Sequence, residues 1–462
     1  MPLAVVSQPA SVDEVLLQVA NLRKVGRLPE AAAVLSEALR HHDHEHVFSY
    51  QLALIEAERG NWAAAEPLAR TAASSGVDEY ASGLGQILAK TGKYEEARVW
   101  LLRALALNSR DADALACLGA IYGEQGKLDE AVMCIDQALL IRPEFPSALA
   151  CREQMLSEQR FLRVVRAAYE EFARTTGLNP DPNAAGQAEI EFPSAFLDAN
   201  GSPRFKMWIP ASLVLSDLGA AHLFYREIAE RGYEFALRRF LDLTLNSDDV
   251  FIDVGAHWGV HSLTAATLLP NQVSVLAIEA HPTNSARLRT WVERNRLEAD
   301  VEVVPIAVGD REGVAQMRVD GSSMGHSLRE RGSDIGATKT IEIGVTTLDR
   351  LLSQRAHLRW RRVILKLDVE GYELEVLSGA RELLSSGRVA AIVWENGEFY
   401  ERAARDVRTT KLVDLLNSFG FEHFCMHREG PVMRLMPLRD KNLLGDIFSL
   451  APDFDRKEPY SS

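Results

Sequence analysis

Three acid-bearing strings in the second half of this 462-residue chain have residue types and spacings that could do chemistry. Lys366-Leu-Asp368-Val-Glu370 alternates an ammonium with two carboxylates. At the end of a strand, a period of two would put all three on one face. There they would shift one another's pKa values and leave one acid able to take a proton. The plainer alternative is an ion-paired network that positions the turn into a helix beginning near Tyr372. Glu395 is a further catalytic candidate. Asp368, Glu395 and Asn396 also offer oxygens of the kind that hold Mg2+, although the preferred reading has no metal.

Upstream, Asp253-Val-Gly255-Ala256-His257-Trp-Gly259 closes an apolar run. Gly255 permits a tight strand-to-helix turn, and Gly259 lets the following helix pack close. Dinucleotide sites have a third glycine two positions after the first, where the backbone meets the pyrophosphate. Here that position is His257, so NAD and FAD are disfavoured and a ligand with an amino-acid moiety fits better. Glu279, twenty-six residues after Asp253, ends the next apolar run and can accept both hydroxyls of a ribose. Asp310 follows a third run and could accept from an adenine amino group. In this order, and each at a strand end, these residues favour an adenosine-containing methyl donor.

Such residues need a sheet to position them. Val250–Val254, Val273–Ile278, Val301–Ile306, Val363–Leu367 and Ala390–Trp394 are short, bounded and rich in Val and Ile, with helix-like stretches between most of them. That alternation predicts an α/β, Rossmann-like, doubly wound and mostly parallel sheet over 205–462. Ligands bind such sheets at the carboxyl ends of the strands.

The first 150 residues repeat. Gly26-Arg-Leu-Pro-Glu-Ala31, Gly60-Asn-Trp-Ala-Ala-Ala65, Gly92-Lys-Tyr-Glu-Glu-Ala97 and Gly126-Lys-Leu-Asp-Glu-Ala131 share one pattern. Their glycines step by 34, 32 and 34, and Ala38, Ala72, Ala104 and Ala138 each follow the earlier alanine by seven. This resembles the tetratricopeptide (TPR) repeat, a helix-turn-helix unit of about 34 residues. An all-α solenoid with a capping helix is therefore expected over 1–175, with a linker over 176–204. Its groove would bind a protein partner; a purely structural or dimerising arm is the alternative. His41, His42, His44 and His46, interleaved with Asp43 and Glu45, read as a solvated turn rather than a metal site.

The net charge is −14, and residues 1–150 hold 13 Lys and Arg against 20 Asp and Glu, so neither half is basic and nucleic acid is not expected as a partner. No apolar run reaches the length of a membrane span. Met1–Ala10 lacks a secretion signal's basic start and apolar core. Cys117, Cys134, Cys151 and Cys425 lack CxxC spacing and suit a reducing compartment, so a cytoplasmic location is expected.

From residue 248 to 397 the chain resembles the FkbM family of methyltransferases. The resemblance rests on Asp253-Val-Gly-Ala-His-Trp-Gly259, Glu279-Ala-His-Pro282, Ala307-Val-Gly-Asp310, His326-Ser327, Thr347-Leu-Asp349 and Lys366-Leu-Asp-Val-Glu-Gly371, in that order. The departures are His257 for the usual Asn, two residues inserted before Pro282, and His326 for the first Ser of a pair. The resemblance implies S-adenosyl-L-methionine as donor and O-methylation, commonly of a hydroxyl on a sugar or related natural product. It carries the family's second-strand acid onto Glu279. The acceptor pocket is expected in variable loops such as 320–340. An inactive repeat scaffold and a protein methyltransferase that recruits its target through the repeats are the other readings.

Overall fold

The computed structural model describes residues 11–41, 45–77, 80–179, 181, 189–230, 232–319, 339–358, 361–397, 402–429, 432–439 and 444–454. Expectations that fall on His42, His44, His326, Ser327 and most of the 320–340 loop lie outside the described residues. The chain divides into two compact units, one built on Met1–Arg160 and the other on Phe161–Arg331 with Thr340–Ser462.

In the first unit, helices pair as hairpins: α1 (Val12–Lys24) with α2 (Leu28–His41), α3 (Glu45–Glu58) with α4 (Trp62–Ser74), α5 (Ala81–Lys90) with α6 (Tyr94–Leu107), and α7 (Ala112–Glu124) with α8 (Leu128–Ile141). The repeated glycines explain the turns. Gly26, Gly60, Gly92 and Gly126 have φ of 74°, 75°, 77° and 70°. No atom lies within 4 Å of where a Cβ would be, so they serve the left-handed conformation and not a tight fit. Across each turn one N–H reaches back to end the first helix, as from Lys93 to the Leu88 carbonyl and from Lys127 to that of Tyr122, both 2.9 Å. The repeated Ala31, Ala65, Ala97 and Ala131 are fully buried where adjacent helices meet.

The next helix, α9 (Pro146–Thr176), starts in the first unit, but from Phe161 on it belongs to the second. There Val165, Tyr169, Phe172 and Ala173 join a core with Ile190, Phe192 and Phe224. Two stretches bear on the boundaries drawn from sequence. The first compact unit runs to 160, inside the 1–175 expected of the repeats and their capping helix. The 176–204 stretch is also more than a linker, since it contains strand β1 (Glu189–Pro193), antiparallel to β2 (Lys206–Pro210). Alternation of Ile190 and Phe192 with Glu189 and Glu191 gives β1 one buried face, a signal the flanking prolines hid.

After α10 (Leu213–Ser216), α11 (Leu218–Ala229) and α12 (Phe235–Thr244), the main sheet begins with β3 (Val250–Val254), followed by α13 (Val260–Leu268), β4 (Ser274–Ile278), α14 (Pro282–Arg294) and β5 (Val301–Val304). The chain then leaves for a small sheet of β6 (Ala307–Val308), β7 (Gly313–Val319) and β8 (Lys339–Thr346), and passes through α15 (Leu348–Ser353). It returns as β9 (Val363–Leu367), α16 (Glu373–Ser378), α17 (Arg381–Ser385), β10 (Val389–Asn396), α18 (Arg402–Asn417), β11 (Glu422–Glu429), β12 (Val432–Pro437) and β13 (Gly445–Leu450). The order is β12-β11-β13-β10-β9-β3-β4-β5; β10 to β5 run parallel, and β13, β11 and β12 alternate antiparallel. This is the doubly wound, mostly parallel sheet expected.

Both faces of the sheet are covered. Phe251, Ile364, Val393 and Phe448 point into one core, and Ile252, Leu365, Trp394 and Ile447 into the other. Period two then places Asp253, Lys366, Glu395 and Asp446 on the face shared by the first set. Among the described residues, no helix is long and apolar enough to cross a membrane.

Candidate active site

The chain from β3 crosses to β4 on one side and later to β9 on the other, so the strand order reverses between the parallel neighbours β3 and β9. A half-open cleft lies at their carboxyl ends, with about 960 Å3 of free space counting its mouth. Asp253 and Lys366 are in-register neighbours on these two strands. Lys366 Nζ lies 3.2 Å from Asp253 Oδ1 and 3.3 Å from Asp368 Oδ2, and donates to the Gly255 carbonyl at 3.2 Å. Burial works against the ammonium, but Asp253, Asp368 and Glu234 outweigh it and hold the Lys366 pKa well above the ordinary lysine range. Ser262 donates to the other Asp253 oxygen at 2.7 Å. Asp253 is fully buried, and its place is to pin the two strand ends together.

The turn after β3 approaches the one after β9 so closely that a Cβ on Gly255 would lie 1.8 Å from the Asp368 carbonyl oxygen. Gly255 also has φ +76°, so two independent constraints demand glycine. His257 sits at φ +51°, a region where Asn, Asp and His are the tolerated side chains. Its backbone N–H donates to Glu279 Oε2 at 2.7 Å, while its ring stacks on Trp258 with centroids 4.9 Å apart. Because the backbone makes this bond, His serves here as Asn would. His281 donates its N–H to Glu279 Oε1 at 2.8 Å and stands just before Pro282, the first residue of α14. The inserted Ala280-His281 pair thus brings a second donor to Glu279. Burial pushes the Glu279 carboxyl up to about 7 despite these two donors. Gly255, Ala256, His257, Gly259 and Glu279 all line the cleft, and Ile306, Val308 and Met317 give it an apolar wall.

Asp310 is not brought there. It is exposed and absent from the cleft's lining. The reading from sequence placed it after a main-sheet strand. Instead β5 stops at Val304, and Asp310 follows β6, which pairs with β8 in the small sheet.

Of the proposed catalytic group, Lys366, Asp368 and Glu370 line the cleft, whereas Glu395 lines the pocket beside it with Glu373 and Asn396. Burial, followed by Asp368 and Glu370, pushes the Glu395 carboxyl up toward its neutral form. Asn396 Oδ1 accepts from the Thr409 hydroxyl at 2.9 Å. Among the described residues, no group of three or more His, Cys, Asp or Glu is arranged to hold a metal ion. Thr347 and Asp349 are structural: Thr347 caps α15 at 3.1 Å, and Asp349 accepts from the Glu382 and Leu383 N–H groups at 2.8 and 2.9 Å.

Sequence reasoning missed four residues here. Tyr233 and Glu234, from the turn before α12, and His261, in the first turn of α13, line the same cleft. Glu234 Oε2 lies 2.5 Å from His261 Nε2. Burial opposes it, but His261 and Lys366 pull the Glu234 pKa down to about 2. Asp446 stands opposite Glu395 across β10 and β13, and burial, then Glu234 and Asp368, push it up to about 7. The one available signal was His261 itself, one turn beyond His257.

Residues 253–423 match the family model described as the methyltransferase FkbM domain. The chain carries an FkbM methyltransferase domain. Residues 85–126 and 112–145 match models of the TPR repeat and the tetratricopeptide repeat. Among solved structures, the FkbM methyltransferase of Methylobacillus flagellatus KT is 15% identical, with 45% of each chain covered and a TM-score of 0.30. MamA from Desulfovibrio magneticus RS-1 is 19% identical over 33% of this chain and 88% of its own, with a TM-score of 0.30. YrrB, a TPR protein described as having an unusual peptide-binding site, is 20% identical over 30% and 73%, with a TM-score of 0.28. No curated protein matches. The FkbM domain and the TPR repeats therefore fall in the order that the sequence indicated.

Proposed function

We propose that the FkbM domain uses S-adenosyl-L-methionine to methylate a hydroxyl, on a sugar or related natural product, and that the TPR unit recruits a partner or carrier. The observation that carries the donor reading is Glu279. It is a buried carboxylate at the end of β4 with one backbone N–H on each oxygen, facing a cleft with apolar walls. Its remaining lone pairs suit the two hydroxyls of a ribose, and Ile306, Val308 and Met317 suit an adenine ring. The donor set thus fits the nucleoside, and Ala256 and His257 offer backbone to its amino-acid end. The sulfonium, once bound, supplies an electrophilic methyl group, and the protein's own task is to align the acceptor with it.

The acidic rim of Asp368 and Glu370, with the neutral Tyr233 hydroxyl beside it, lies where an uncharged polyol could hydrogen-bond. A phosphorylated or carboxylated acceptor would be repelled. This supports a neutral hydroxyl acceptor. The test has two parts: calorimetry with S-adenosylhomocysteine, and donor-dependent methylation of a glycan panel with mass detection. Micromolar or tighter binding together with a product 14 Da heavier than a neutral glycan is expected. A folded protein that binds no S-adenosylhomocysteine would return the chain to the inactive-scaffold reading, and methylation of a protein but no glycan would establish the other alternative.

A further inference from the structure

Glu234 has a place in the cleft that the nucleoside half of a donor does not explain. It stands just before α12 at φ +45° and ψ +50°, a left-handed conformation that a non-glycine residue keeps only where its surroundings fix it. Its side chain lines the cleft and is 33% exposed. Oε2 meets His261 Nε2, and among the described residues no lysine or arginine pairs with this carboxylate. Lys366 is already shared by Asp253 and Asp368. Burial opposes charge on Glu234, yet His261 and Lys366 hold its pKa at about 2, so it stays ionised through the neutral range. Its position along the cleft is equally defined. In the order β9-β3-β4, Glu279 ends β4 on one side of β3, whereas Glu234 acts on Lys366 of β9 on the other. The Gly255–His257 loop, which follows β3, lines the cleft with both. From β4 to β9 is two strand spacings, roughly 10 Å.

We propose that the Glu234 carboxylate holds the α-ammonium of the methyl donor's amino-acid end. The proposal rests on the donor reading of Glu279 and deepens it, since it names the group that binds the other end of the same ligand. With the ribose on Glu279, the donor's chain crosses the Gly255–His257 loop toward β9. The span between the two carboxylates is about the reach from ribose to ammonium. An ammonium donating to a carboxylate is a charge-assisted hydrogen bond, among the stronger kinds. The ionised acid also favours a ligand that carries positive charge on its sulfonium. His261 is then the positioning residue, holding the carboxylate through Oε2. The other acids nearby are worse suited: Asp368 is engaged by Lys366, and Asp446 is pushed toward its neutral form by burial.

The experiment is a cycle that changes protein and ligand together, read by calorimetry on the full chain and needing no acceptor. The ligands are S-adenosylhomocysteine and its des-amino analogue, which has hydrogen in place of the α-amino group. Wild type should bind S-adenosylhomocysteine about ten- to hundredfold more tightly than the analogue. Glu234→Gln keeps an oxygen for His261 but loses the charge. It should weaken S-adenosylhomocysteine by a similar factor and the analogue by less than about threefold, so that the preference collapses. Glu234→Gly should do the same: glycine adopts φ +45° without strain, so this variant removes the carboxylate while sparing the backbone. It decides the matter if the Gln protein does not fold. A merely structural Glu234 would weaken both ligands equally, leave the preference intact and overturn the proposal. So would a wild type that binds the two ligands alike. A folded wild type that binds neither would instead sink the donor reading, and this assignment with it.

Discussion

Glu279 offers a test in which pH and mutation must agree. Its carboxyl is pushed up to about 7 by burial, from an ordinary value of 4.5. That gap corresponds to about 3 kcal/mol favouring the neutral group in the ligand-free fold. The stabilisation is full below pH 4.5 and lost as pH rises through 7. Donor binding has the opposite dependence, because two ribose hydroxyls donate to the ionised form. Affinity for S-adenosylhomocysteine should therefore fall toward tenfold per pH unit below 7, making it about thirtyfold weaker at pH 5.5 than at pH 8. Glu279→Gln should abolish this slope. It should also bind weakly throughout, since its amide NH2 must face one of two backbone donors. Glu279→Ala strands the His257 and His281 N–H groups, at about 1–3 kcal/mol each. It should weaken binding roughly ten- to hundredfold. Calorimetry across pH 5.5–8.5 reads all three proteins. A flat profile for wild type, or one that persists in Glu279→Gln, would show that Glu279 does not hold the ribose.

Other expectations are as direct. Gly255→Ala would drive a Cβ into the Asp368 carbonyl and add left-handed strain, so it should lower stability by about 2–4 kcal/mol and abolish S-adenosylhomocysteine binding, as read by thermal shift. Asp368→Asn should retain S-adenosylhomocysteine binding and lose turnover if Asp368 contacts the acceptor; equal activity would leave it only its Lys366 ion pair. In the repeats, Gly126→Ala should cost about 1 kcal/mol, from backbone strain alone. Gly119→Ala should cost more in the same helical melt, because its Cβ would lie 2.6 Å from Ile135 Cγ1. A fragment starting at Phe161 should bind S-adenosylhomocysteine like the full chain, whereas one starting at residue 200 should melt earlier, having lost Tyr169, Phe172 and Phe192 from around Phe224.

What the sequence revealed depended on how locally each feature is encoded. The repeat turns were legible because each needs one glycine, recurring every 32 or 34 residues at the same place in the pattern. The strands β3 and β9 were legible to the residue because both faces are buried, which writes an unbroken apolar run. Glu279 was legible because strand ends hold a fixed place in this fold. Asp310 was misread because a two-residue strand in another sheet has no pattern that separates it from its neighbour. Tyr233, Glu234, His261 and Asp446 were not legible for a different reason. They come from a left-handed turn, a helix start and an antiparallel strand, and only the strand order brings them together. Nothing in their spacing along the chain encodes that meeting.

The position of β13 has a consequence for biogenesis. A ribosome delivers β10 first, then β11 and β12, and β13 last, yet in the finished sheet β13 lies between β10 and β11. The early strands cannot simply zip up in the order they emerge. A slot must stay open beside β10, with its backbone groups unpaired, until the last strand slides in. During that interval Glu395 has no Asp446 opposite it. The nascent domain could form the cleft at the ends of β3 and β9 while that slot is still open. A ligand bound in the cleft at that stage would brace the half of the sheet already built, from β5 to β9, while the open slot waits for β13.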